Sequence, residues 1–211
     1  MVKIFSYDNK VVEFLGNVFD LILLNAIFLI TCIPIVTIGT SITAMYTVTL
    51  KMHKNEGGSV FKEYFKAWKL NFKDSIGIWL GYFVIFMILV LDIRIANINM
   101  EKSEMWKVLY IFSVAILIQL WILGAYLFPL ISKFNNTAKN SLKNATFLAL
   151  RHLPFTLMIV ILNSLLPIIF IVNMEVFLYA LLVYALIGFS LIAYVNSIWF
   201  QQIFDKYIEE I

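Results

Sequence analysis

Apolar positions in this chain run in long unbroken blocks separated by short lysine-bearing stretches. The blocks cover residues 21–50, 75–91, 108–132, 153–174 and 176–204. A helix needs about 20 apolar residues to cross a hydrocarbon layer of roughly 30 Å, so each block predicts a membrane-crossing helix. The first is the exception. From Phe14 to Leu50 the chain runs 37 residues with Asp20 as the only charge, too long for one span and barely enough for two. Pro34 lacks a backbone donor and Gly39 has no side chain to resist a turn, which predicts a break between them. The expected spans are therefore 14–33, 38–52, 75–96, 107–131, 154–172 and 176–198, with short turns at Pro34–Gly39 and Asn173–Glu175. The fold class is all-α: a polytopic helical membrane protein of about six transmembrane helices. The competing count is five, with 38–52 as an interfacial helix.

Two connecting segments carry a different period. After Gly57-Gly58, Ser59 is placed to cap a helix over 59–73 in which Phe61, Phe65, Trp68 and Phe72 recur at helical spacing. Lys62, Lys66, Lys69 and Lys73 follow one residue behind. An aromatic face beside a lysine face suits the headgroup region, and Phe61, Phe65, Trp68, Lys62, Lys66 and Lys69 form a candidate partner or lipid surface. A weaker amphipathic helix is expected over 137–151, with Leu142, Ala145 and Ala149 on one side.

Composition supports the membrane class. The chain is 62% hydrophobic and 14% charged, against roughly 45–50% and about 25% in soluble domains. With both termini and the amphipathic helices cytoplasmic, 13 of the 16 basic residues fall inside and only Arg94, Lys102 and Lys107 outside, as the positive-inside rule requires. The net charge of +3 is spread along the flanks of apolar blocks, so membrane lipid is the expected partner and nucleic acid is not. A single cysteine, Cys32, allows no intrachain disulfide.

Polar groups inside the apolar blocks are the candidates for chemistry, since each is costly there unless paired or hydrated. Asp20 and Asn17 share a helix face with Glu13; they fit a proton or cation site, hydrogen bonding to a sugar, or a polar helix end reached by water. Thr40 and Thr43 offer hydroxyls in the threonine-rich stretch. Asn163 and Ser164 precede Pro167, which frees the carbonyl of residue 163, so they serve a kink or a substrate. Gly77 and Gly81 form a GxxxG pair, and Gly39, Thr43 and Thr47 repeat the same spacing; both read as helix-packing faces. The catalytic inventory is poor. There is no phosphate-binding G-x-x-x-x-G-K-[ST] loop, and His53 and His152 stand about a hundred residues apart without H-E-x-x-H. Neither an enzyme, a cofactor nor a metal site is expected.

The order of several short motifs is similar to that of the YesL family. These are Pro34-Ile35-Val36-Thr37-Ile38-Gly39 before a Thr/Ala-rich helix, Phe65 with Asn71-Phe72-Lys73 before a Trp-Leu span, and Asn144-Ala145 with Leu150-Arg151-His152-Leu153 before another. The resemblance covers nearly the whole chain. It implies a small integral protein of the bacterial cell membrane, chiefly Gram-positive, associated with carbohydrate uptake operons and often beside sugar ABC transporters. It supplies no site residues. Two functions are expected: an accessory component contacting sugar ABC permease or ATPase subunits, or a transport subunit or small carrier in its own right. Segment 132–153 ends in Leu153-Pro154 like a permease coupling loop but lacks the Glu-Ala-Ala and glycine of such a loop.

Overall fold

The computed structural model describes residues 10–54, 56, 58–134 and 137–208, so Lys3, Asn55 and Gly57 lie outside the described residues. Every described element is helical. In chain order they are α1 (Lys10–Cys32), a 3₁₀ turn (Ile35–Thr37), α2 (Ile38–His53), α3 (Val60–Leu70), α4 (Phe72–Asn99), α5 (Glu104–Lys133), α6 (Ala138–Arg151), α7 (Leu153–Val172), α8 (Met174–Val183), a π-helical turn (Tyr184–Gly188) and α9 (Phe189–Ile208). Five stretches are long and apolar enough to cross a membrane: Val11–Cys32, Phe72–Asn99, Glu104–Lys133, Leu153–Val172 and Met174–Tyr207, the last running through the π turn.

The expected sixth span is something else. Helix α2 has 16 residues, about 24 Å at 1.5 Å per residue, short of a hydrocarbon layer of roughly 30 Å. Its start is also held against α4. The Trp79 indole N–H donates to the Ile35 carbonyl at 2.7 Å, and Gly39 lies against Trp79 and Phe128. Beyond Trp79, α4 continues to Asn99, a further ~30 Å at the helical rise. The Pro34–Gly39 turn therefore does not reach the end of the α4–α5 hairpin, and the described helices agree with the alternative count of five, α2 being shorter than the others. Five stretches long and apolar enough to cross a membrane pack with the shorter, largely buried α2.

Helix α1 meets the last helix over a brief crossing. Leu21, Asn25 and Phe28 all contact the segment Tyr184–Ser190, so about 10 Å of α1 passes over neighbouring residues of its partner. Helix α2 instead runs beside α9 in the same direction, with Tyr46 near Asn196, Thr49 on Ser197 at 2.7 Å and Lys54 on Asp205 at 3.2 Å.

Most basic residues gather at one end. There Lys51 pairs with Glu63, Lys54 with Asp205, and Arg151 lies over the rings of Phe147 and Tyr207. The amphipathic helices pack here, α3 by a face turned about one residue from its aromatic stripe and α6 by the expected Ala145 and Ala149 side without Leu142. In α3 the buried side is Val60, Tyr64 and Ala67; Phe61 is exposed and Phe65 and Trp68 half-buried. Ser59 stands at the N-cap without a side-chain capping bond. In α6 the buried residues are Ser141, Ala145, Leu148 and Ala149, while Leu142 is exposed.

Candidate functional site

The turn that opens α2 is held by hydroxyls. The last carbonyls of a helix have no partner within it, and here side chains supply one. Thr37 donates to the carbonyls of Thr31 and Pro34, both at 2.7 Å, and Ser41 donates to Thr31 O at 3.2 Å. The Thr31 hydroxyl bonds Tyr64 Oη at 2.6 Å, which ties α3 to the same corner. Along α2, Thr43 donates to Gly39 O at 2.9 Å and meets Ser75 at 3.1 Å, and Thr47 donates to Thr43 O at 3.0 Å. Thr40 is fully buried and its hydroxyl has no partner.

A second polar set braces the π turn. Asn25 is fully buried; its Nδ2 donates to the carbonyls of Tyr184 (3.0 Å) and Ala185 (2.8 Å), and its Oδ1 accepts from Ser190 N at 3.0 Å. One residue added to a helical turn leaves backbone groups without their usual partners, and this amide takes up three of them. Ser190 closes the contact by donating to Leu21 O at 2.7 Å. Gly188 is needed because a methyl there would sit 2.8 Å from the Tyr184 ring.

Between these sets lies a cavity of about 460 Å³. Its walls come from α1, α2, α4, α5, α7 and the π turn with α9, and half of the lining residues are aromatic, among them Trp79, Tyr82, Phe86, Trp121, Phe128 and Tyr184. Asn163 and Pro167 reach it from α7. Asn163 Oδ1 accepts from Asn196 Nδ2 at 3.2 Å, and that amide also donates to Tyr46 Oη at 3.2 Å. Trp121 donates to Ser164 at 3.0 Å and Tyr82 to Leu120 O at 3.3 Å.

The residues singled out by sequence fall in separate places. Asp20 is half-buried and Asn17 exposed on the outer part of α1, and neither hydrogen-bonds to Thr40, Thr43 or Asn163. Thr40 and Thr43 face the interior around α2, and Asn163 alone lines the cavity. Gly39 is at a close approach, whereas a methyl added at Gly77 or Gly81 would meet nothing within 4 Å. Lys62, Lys66 and Lys69 are exposed on α3. Sequence reasoning missed Asn25 and Tyr64. Asn25 was visible as an uncharged polar residue within an apolar block, and Tyr64 sits between the aromatic and lysine stripes, where neither pattern draws attention to it.

At the basic end, the hydrogen bond and charge of Lys51 hold the Glu63 carboxyl below the usual glutamate range. His152, hydrogen-bonded to Tyr207 at 3.1 Å, is pushed toward its neutral form by desolvation first and then by the charges of Lys206 and Arg151. Among the described residues no group of three or more His, Cys, Asp or Glu side chains could hold a metal ion.

No curated protein and no solved structure matches the chain. A family model described as "Protein of unknown function, DUF624" matches residues 21–93, and YesL-like proteins carry that domain. The matched stretch begins at the α1 crossing, takes in the hydroxyl-bound turn, α2 and α3, and ends within α4, so it is this polar corner that is similar to that family.

Proposed function

We propose that the protein is an accessory membrane component of carbohydrate uptake, contacting permease or ATPase subunits of a sugar ABC transporter and not carrying sugar itself. The observation that carries this reading is how polar side chains in the bundle are used. Asn25, Thr31, Thr37, Ser41, Thr43, Ser190 and Asn196 bond to backbone or to one another, and the cavity beside them is walled by rings. A sugar can stack its C–H ring faces on aromatic rings, but its rim hydroxyls need partners, and each one buried without a partner costs about 1–3 kcal/mol. Here the polar atoms of Trp79, Trp121 and Tyr82 are bonded within the protein. Such a lining disfavours a sugar site.

Contact surfaces follow from what the chain leaves open. The Gly77–Gly81 face of α4 lets a foreign helix approach closely, and the exposed Phe61 with Lys62, Lys66 and Lys69 offers a basic, partly aromatic face. With that end in the cytoplasm, as the positive-inside rule requires, it would lie on the side of an ATPase. Purification from native membranes in mild detergent should recover permease or ATPase subunits, and Gly77→Leu with Gly81→Leu should reduce the yield. Repeated recovery of the protein alone would count against the reading.

One observation favours the carrier reading: among the described residues Asp20 has no hydrogen-bond or ion-pair partner although it lies within an apolar span. Under that reading Asp20→Asn abolishes uptake at unchanged abundance. Unchanged uptake would remove it.

A further inference from the structure

We propose that the aromatic cavity holds one hydrocarbon chain of a bilayer lipid, entered sideways from the membrane. This rests on the cavity alone and is independent of the accessory role.

The chemistry of the walls suits an apolar guest. Rings of Trp79, Tyr82, Phe83 and Phe86 on α4 face the space together with Trp121 and Phe128 on α5. Their polar atoms are engaged elsewhere: Trp79 with the Ile35 carbonyl, Trp121 with Ser164 and Tyr82 with the Leu120 carbonyl. Apart from Asn163, the occupant therefore meets mostly ring faces and aliphatic side chains, with few free donors or acceptors for a hydroxylated solute.

Size points the same way. An apolar cavity of roughly 150 Å³ stays dry and takes up apolar ligands, and this one is about 460 Å³. Left empty, its lining would forfeit dispersion contacts on one side. Such a volume is within the range of roughly 300–1,000 Å³ common to ligand sites.

The mouth lies at the depth of lipid chains. Trp121 is 36% exposed and Pro167 is also exposed, both within crossing helices. Along α5, Trp121 stands about 25 Å from Glu104 and about 18 Å from Lys133 at the helical rise. The medium at that level is hydrocarbon, so the molecule at hand to enter is a lipid tail and its headgroup stays outside.

The full chain can be tested with Trp79 as the reporter, after replacing Trp68, Trp106, Trp121 and Trp199 by Phe. In phosphatidylglycerol vesicles with brominated acyl chains, Trp79 emission should lose most of its intensity relative to unbrominated vesicles. Ala125→Phe and Ile42→Phe each fill the space, and at unchanged helical content either should restore most of that intensity. Three results would each overturn the proposal: Trp79 unaffected by brominated chains, quenching unchanged in every filled variant that folds, or quenching of Trp79 by acrylamide from the aqueous phase, which would mean the cavity holds water.

Discussion

Helix α2 and helix α8 are made of opposite materials and end in opposite places. Helix α2 carries four threonines and a serine in 16 residues, and ten of its residues are buried. Helix α8, MEVFLYALLV, has Glu175 as its only charged residue and buries none. In a soluble protein the apolar helix would be inside. In a bilayer the outside is already apolar, so burying Leu or Val gains little. What must be enclosed is backbone and hydroxyl chemistry that lipid cannot satisfy. Polarity therefore marks the interior here, and the turn at Pro34–Gly39, which breaks its helix, can face apolar surroundings because Thr37 and Ser41 take up the freed carbonyl of Thr31.

The sharpest way to break this contrast is labelling. With Cys32 replaced by Ser, a cysteine at Ile35 should resist a membrane-impermeant maleimide from either side although Ile35 is 57% exposed in the bundle, because lipid covers it. A cysteine at Asn99 should label from one side. Ready labelling at Ile35 would restore an outer turn. Next in size is Gly39→Ala, whose methyl would lie 2.5 Å from Trp79 Cβ and 2.9 Å from Phe128. Overpacking of this kind costs about 3 kcal/mol, read as a lowered unfolding midpoint in detergent, while Gly77→Ala should stay within about 0.5 kcal/mol. Asn25→Leu strands two carbonyls and one amide of the π turn, for a loss of about 2 kcal/mol. On the lipid-facing side, Leu182→Ala should change stability by less than about 0.5 kcal/mol. Equal losses at Asn25 and Leu182 would mean that α8 is as enclosed as α1.

These pairs also show where the sequence was readable. The long apolar blocks announced α4, α5 and α7 because length alone separates a span from a core helix. The block from Phe14 to Leu50 leaves five and six crossings both open for the same reason: its length allows two spans, but apolar content cannot tell a helix facing lipid from a short one enclosed by its neighbours. The burial of Gly39 against Trp79 and the openness of Gly77 depend on contacts across the fold, and both glycines look alike in a four-residue repeat. In α3 the aromatic stripe was plain, yet the inward side is Tyr64 with Val60 and Ala67, because the corner offered Thr31 as a partner for a phenol. The crossing of Asn25 over Tyr184 joins residues 159 apart, which no local period reports.

The smallest effects belong to the basic end, where the helices leave the apolar region and water screens charge. Glu63 is held below the usual glutamate pKa by Lys51, so its pairing stabilises the fold above the unfolded value and is lost as pH falls through the lower folded one. An exposed ion pair of this type contributes about 0.5 kcal/mol, and a double-mutant cycle of Lys51→Ala and Glu63→Ala should return a coupling of that size that shrinks in salt. His152 has the same sign for a different reason. Desolvation favours its neutral form, so as pH drops below the ordinary imidazole value of about 6.5 the unfolded chain takes up a proton before the folded one does, and stability falls. His152→Asn should flatten that part of the stability–pH curve while leaving the acid limb below it, to which Glu63 and Asp205 contribute, in place. If the variant instead removed the whole pH dependence, the Lys51–Glu63 pair would be contributing nothing, and α3 would be held by its buried side, Val60, Tyr64 and Ala67.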